Sequence, residues 1–148
     1  MAYRKKPEVI WSPLPKQERF LSCPAFELGY GGAKGGGKSD GILIDPLKGM
    51  AAGWQSYRCL ILRRKYIDLE RSLIVRSHEL YRGRAHWDGQ NKRWKFPNGC
   101  SLEFGHCQNE QDIHNYDSAQ YGYIGIEQAE DVLLAQRAGV FHRQLFGI

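Results

Sequence analysis

No two cysteines in this sequence stand at C-x-x-C spacing. Cys23, Cys59, Cys100 and Cys107 are scattered singly, which removes zinc-ribbon and dithiol chemistry from the candidates. Lone cysteines beside apolar residues are as a rule buried thiols, and they suit a reducing cytoplasm. His106 next to Cys107 does not by itself make a metal site. No apolar run approaches the length needed to cross a membrane, and the basic start Arg4-Lys5-Lys6 leads into Pro7 rather than an apolar segment, so neither a span nor a signal peptide is expected. Acidic residues are the minority, 16 against 21 Lys plus Arg. That surplus permits a nucleic-acid partner and equally fits plain surface solubility. What the 148 residues do have is an ordinary apolar share of 42%, enough for one domain with a real core and against disorder.

The chemistry is concentrated in Gly31-Gly32-Ala33-Lys34-Gly35-Gly36-Gly37-Lys38-Ser39-Asp40. From Gly32 it reads G-x-x-x-x-G-K-S, the complete Walker A pattern, in which backbone N–H groups of a glycine-rich turn close around phosphate oxygens. Lys38 would reach the outer phosphates and Ser39 would offer its hydroxyl to Mg2+, at the N-terminus of a helix whose partial positive charge favours anions. A flexible glycine linker would explain the glycines, but not a Lys-Ser pair at this offset.

The flanks fit. Phe26–Tyr30 reads as the short strand before such a loop and Ile42-Leu43-Ile44 as the apolar face of the helix after it. Residues 1–16 are basic and proline-punctuated, an extended arm, with a short helix opening near Pro15; residues 17–148 form the domain. Gln17 on that helix either reads an adenine edge or is a solvated glutamine. Tyr57–Leu62 is a second, buried strand that empties into Arg63-Arg64-Lys65, on the side where open α/β sheets bind ligands; these three either meet phosphates or form a solvated loop. Apolar positions from Ile67 to Tyr81 recur at helical spacing, with Arg71, Arg76 and Glu79 outward. Alternation on both sides of Asn98-Gly99 predicts a β-hairpin. Arg82, Arg84, Lys92, Arg93 and Lys95 with Trp87 and Trp94 either form a stacking surface for DNA, or Trp94 and Phe96 are simply cross-strand packing.

Tyr121–Asp131 holds an apolar strand ending in an acidic residue, the shape of a Walker B element, with Glu127 at the position whose carboxylate holds the magnesium shell. The next position usually carries the glutamate that deprotonates the attacking water. Here it is Gln128, and an amide can position water but cannot take its proton.

Together these features resemble the ATPase domain of the large terminase subunit of tailed bacteriophages. The likeness is carried by the glutamine of Pro15-Lys16-Gln17, the loop Tyr30–Ser39, the strand exit Leu62-Arg63-Arg64, the hairpin at Phe96–Gly99 and the strand Ile124–Glu127. It implies a P-loop NTPase fold of the α/β class, a central, mostly parallel sheet flanked by helices. It implies ATP and Mg2+ as ligands. Gln17 would lie near adenine, the backbone of Gly32, Ala33, Gly35, Gly36 and Gly37 with Lys38 on phosphate, and Ser39 and Glu127 on the metal. Lys34 stands where the family often has a basic residue contacting the γ-phosphate, without the bidentate geometry of arginine. Double-stranded DNA, a portal, a small terminase subunit and a homo-oligomeric ring, with an arginine contributed by the neighbouring subunit, are the implied partners.

Two departures shape the functional expectation. Gln128 predicts slow hydrolysis, and Ile148 comes only a short helix after Glu127, so the sheet's last strands and the family's nuclease domain have no counterpart in the sequence. An exposed sheet edge and self-association are expected from that ending, the profile of a truncated prophage remnant or a cut fragment. The competing readings are a nucleotide-binding remnant without turnover and a P-loop ATPase of helicase or recombinase type.

Overall fold

Cys59, Leu60, Ile61 and Leu62 are at most 2% exposed, because β2 (Arg58–Arg63) runs through the middle of a sheet with side chains packed on both faces. An unbroken apolar run is what a strand covered on both sides requires. The computed structural model describes residues 8–25, 28–30, 37–116, 119–127 and 144–147. Around β2 the order is β1 (Leu28–Tyr30), β7 (Gln144–Gly147), β6 (Tyr123–Glu127), β2, β5 (Ser101–His106), β4 (Arg93–Lys95), β3 (His86–Asp88). The first five run parallel, and β4 and β3 are added antiparallel. The expected α/β architecture is therefore present, a mostly parallel sheet with helices α1 (Pro15–Ser22), α2 (Lys38–Ile44), α3 (Leu47–Ala51), α4 (Tyr66–Leu69), α5 (Val75–Tyr81) and α6 (Glu110–Ile113).

The hairpin forms where Asn98-Gly99 foretold it. Asn98 and Gly99 have φ of 62° and 72°, the left-handed pair that a tight β-turn needs, and Phe96 N donates to Cys100 O at 2.8 Å. The helix expected from Ile67 to Tyr81 is continuous, but a π-helical turn at Glu70–Ile74 joins α4 to α5. Arg76 on it does not point outward as expected; it folds onto Asp40 of α2.

Trp94 settles one open alternative. It is 3% exposed, its Nε1 donates to Ser77 Oγ at 2.8 Å, and its ring packs against Tyr81, His78 and Trp87. It is cross-strand and helix packing, and its face is not available for stacking on a base. Cys59, Cys100 and Cys107 are buried thiols, as their scattered spacing suggested.

Only a short helix was expected beyond Glu127. Residues 144–147 add a strand that was not expected, β7, which inserts between β1 and β6 and pairs in parallel with both, so that edge of β6 is occupied. A four-residue strand is too short for a period of two to register in the sequence, and a parallel partner gives no hairpin turn to announce it.

Candidate functional site

Three strand ends converge at the carboxyl edge of the parallel sheet: Tyr30 of β1 entering the glycine loop, Arg63 closing β2 and Glu127 closing β6. The helix α2 follows the loop and packs on β6 and β7. A β-carbon on Gly125 would come within 2.6 Å of Ile42 Cγ1, so the glycine in Tyr-Ile-Gly-Ile-Glu is what lets α2 lie this close. That proximity brings two residues 88 apart in sequence together: Ser39 Oγ donates to Glu127 Oε1 at 2.5 Å. The hydroxyl and carboxylate assigned to a metal from the sequence are thus neighbours.

The other carboxylate oxygen is distinctive. Glu127 Oε2 is buried and has no hydrogen-bond partner among the described residues, although Arg63 Nη1 stands 3.3 Å away. A buried, uncapped carboxylate oxygen beside a hydroxyl is a hard-oxygen donor set suited to Mg2+. Among the described residues there is no group of three His, Cys, Asp or Glu that could hold a metal.

Gln17 is neither solvated nor at a surface. It is 2% exposed, its Oε1 accepts from Leu14 N at 2.8 Å and its Nε2 donates to Gly37 O at 2.9 Å. The side chain therefore bolts the start of α1 to the last residue of the glycine loop, leaving less of its amide for an adenine edge. Gly37 itself has φ 75°, and its carbonyl also accepts the first bond of α2, from Gly41 N at 3.0 Å. Lys38 opens α2, half-buried, directly after it. Gly32, Ala33, Lys34, Gly35, Gly36 and Gln128 lie outside the described residues. Between α1 and β1 lies a cavity of about 370 Å³, lined by Lys16, Arg19, Phe20, Leu28 and Tyr30, with Lys16 Nζ 5.0 Å from the Tyr30 ring centre.

A second network surrounds the residue after Ser39. Asp40 accepts from Arg76 Nε at 2.7 Å, from Arg76 Nη2 at 2.8 Å and from Trp11 Nε1 at 2.9 Å. Trp11 thereby ties the chain before α1 to α2, a link invisible in the sequence because nothing in residue spacing pairs positions 11, 40 and 76. Hydrogen bonds from Arg76, then from Trp11, with the guanidinium charge, hold the Asp40 carboxyl below its ordinary range against the opposing effect of burial. A depressed carboxyl contributes stability above its unfolded pKa, and the contribution is lost as pH falls through the folded value. Asp40→Asn is accordingly expected to cost about 1 kcal/mol at neutral pH, and the gap from wild type should start to narrow as pH falls below about 4 and go on closing as Asp40 protonates in the folded state, read in urea unfolding curves. A gap that persists unchanged at low pH would show that the charge is not its source.

Of the three basic residues at the exit of β2, Arg63 is half-buried against Glu127, whereas Arg64 and Lys65 are exposed. Among the described residues no helix is long and apolar enough to cross a membrane.

No protein-family model and no curated protein matches the sequence. Solved structures do match. The large terminase ATPase domain of Thermus phage P74-26 superposes with a TM-score of 0.70 at 11% identity, over 93% of this chain and 64% of that one. The large terminase of a thermophilic bacteriophage gives 0.66 at 11% identity, over 90% of this chain and 38% of that one. The chain spans about two thirds of the first domain and well under half of the second protein. At such identity the likeness speaks for architecture alone: this chain has the fold of the ATPase domain of phage large terminases.

Proposed function

We infer that this chain is the nucleotide-binding segment of a DNA-packaging ATPase, binding ATP with Mg2+ at the junction of α2 and β6. The observation that carries this reading is the 2.5 Å contact between Ser39 and Glu127. In P-loop NTPases the loop's Ser or Thr and the acidic strand end hold the magnesium ion together, and here the two are juxtaposed by a fold shared with terminase ATPase domains. Lys38 supplies charge to the outer phosphates, with Lys34 as a second cation. Bound Mg2+ would be held by Ser39 and Glu127 and would neutralise charge developing on the phosphates. The cavity between α1 and β1, apolar with a cationic rim, would take the nucleobase. Coupling of hydrolysis to translocation of double-stranded DNA, within a ring docked on a portal and fed by a small subunit, is the role this segment serves in a complete motor.

Titration of a fluorescent ATP analogue with Mg2+ tests the site. Lys38→Ala should weaken binding by about 10- to 100-fold, the equivalent of one charge-assisted hydrogen bond to phosphate, with an unchanged circular dichroism spectrum. Unchanged affinity would refute the phosphate assignment.

A further inference from the structure

Arg63 is anchored independently of the carboxylate it faces. Its Nη1 donates to Ser72 Oγ at 2.8 Å and to Asp68 O at 3.2 Å, and Ser72 Oγ in turn donates to Asp68 O at 2.6 Å. A guanidinium Nη carries two hydrogens, and both are taken by these acceptors. Glu127 Oε2, 3.3 Å from the same nitrogen, therefore meets the positive charge without receiving a hydrogen bond. Both side chains are shielded from water, 14% and 12% exposed, so the attraction is weakly screened. Ser72 sits within the π-helical turn Glu70–Ile74, a widened turn of the kind that recurs at functional sites.

We propose that Arg63 is the positioning residue of the metal site: the π turn fixes its guanidinium behind Glu127, which turns one carboxylate oxygen to Ser39 and keeps the other uncapped for a divalent cation. This rests on the nucleotide-and-metal reading of the same site. A group behind a ligating carboxylate fixes its orientation, and loss of such a partner typically weakens metal binding by about 10- to 100-fold. In this proposal Arg63 acts through Glu127 and is not itself a ligand. The link also makes α4 and α5 part of the site, since whatever shifts the π turn shifts Arg63.

The test compares the dissociation constant of a fluorescent ATP analogue in excess EDTA with that at saturating Mg2+, for the full chain and its variants. Arg63→Gln is expected to leave the EDTA value within about twofold of wild type while the tightening brought by Mg2+ shrinks by about tenfold. Ser72→Ala, which keeps the charge but loosens its anchor, should shift the same ratio in the same direction by a smaller factor, and it covers the case of Arg63→Gln failing to fold. If both constants rise together in the variants, Arg63 is merely structural and the proposal falls. It falls equally if the Mg2+ gain survives in both. Wild type that binds nucleotide in neither buffer would overturn the proposed function itself, an outcome distinct from both.

Discussion

ATP turnover by Gln128→Glu is expected to exceed that of the wild-type chain by about 10²- to 10⁴-fold, the usual contribution of a positioned general base. The argument starts at the end of β6. Glu127 is the last residue of that strand; its Oε1 accepts from Ser39, and its uncapped Oε2, beside the charge of Arg63, is the oxygen we assign to the metal. Leaving Ser39 to accept a proton from water would dismantle the metal site proposed above, so in that reading Glu127 does not serve as both ligand and base. The position that follows it is Gln128, whose amide offers a donor and an acceptor to a water molecule but no site basic enough to take its proton. A carboxylate at this position would supply the base that the proposed mechanism lacks, with Ser39 and Glu127 left unchanged in sequence. Phosphate release at saturating ATP and Mg2+, measured alongside nucleotide affinity, checks the expectation. Affinity should change little. Fast turnover by wild type, unaltered in the variant, would show that another group accepts the proton and would end the view of Gln128 as the limiting residue.

The parts of the fold legible in the sequence were those with a local signature. β2 announced itself by a continuous apolar run, the turn between β4 and β5 by Asn98-Gly99, and the α2 start by the Lys38-Ser39 pair, because each is dictated by residues next to one another. Ser39 and Glu127 could be named as partners only because a motif pairs them; their contact is a product of the sheet order and of Gly125, neither of which is periodic. What stayed hidden was long-range or very short. β7 has four residues and a distant parallel partner on each side. Arg76 carries the same outward spacing as Arg71, yet it turns to Asp40, and a helical wheel cannot show an acceptor on another helix. Trp94 illustrates the limit for aromatic residues in basic surroundings: Arg93 and Lys95 beside it suggested a DNA surface, while the strand's alternation had already placed the tryptophan on the opposite, inner face.

Gly37→Ala is the substitution expected to do most damage to the fold of the site, at about 2–4 kcal/mol of stability. Gly37 has φ 75° and ψ 18°, a left-handed conformation that costs an alanine about 1–2 kcal/mol. The added β-carbon would also stand 2.1 Å from Gln17 Nε2 and 2.7 Å from its Cδ. Gln17 cannot swing aside without cost: it is 2% exposed, and moving it breaks its bonds to Leu14 N and Gly37 O, each contributing about 1 kcal/mol net when buried. Gly53 provides the control, since its φ of 84° imposes a comparable backbone strain while nothing lies within 4 Å of the place an added methyl would take. Urea unfolding should therefore rank Gly37→Ala well below Gly53→Ala in stability. In a Gln17→Ala background the clash is gone, and Gly37→Ala should then cost only the backbone strain, a coupling that a double-mutant cycle reads directly. Equal costs for the two glycines, or strict additivity with Gln17→Ala, would show that Gln17 does not clamp the loop, and the role assigned to it at the entrance of the phosphate site would have to be abandoned.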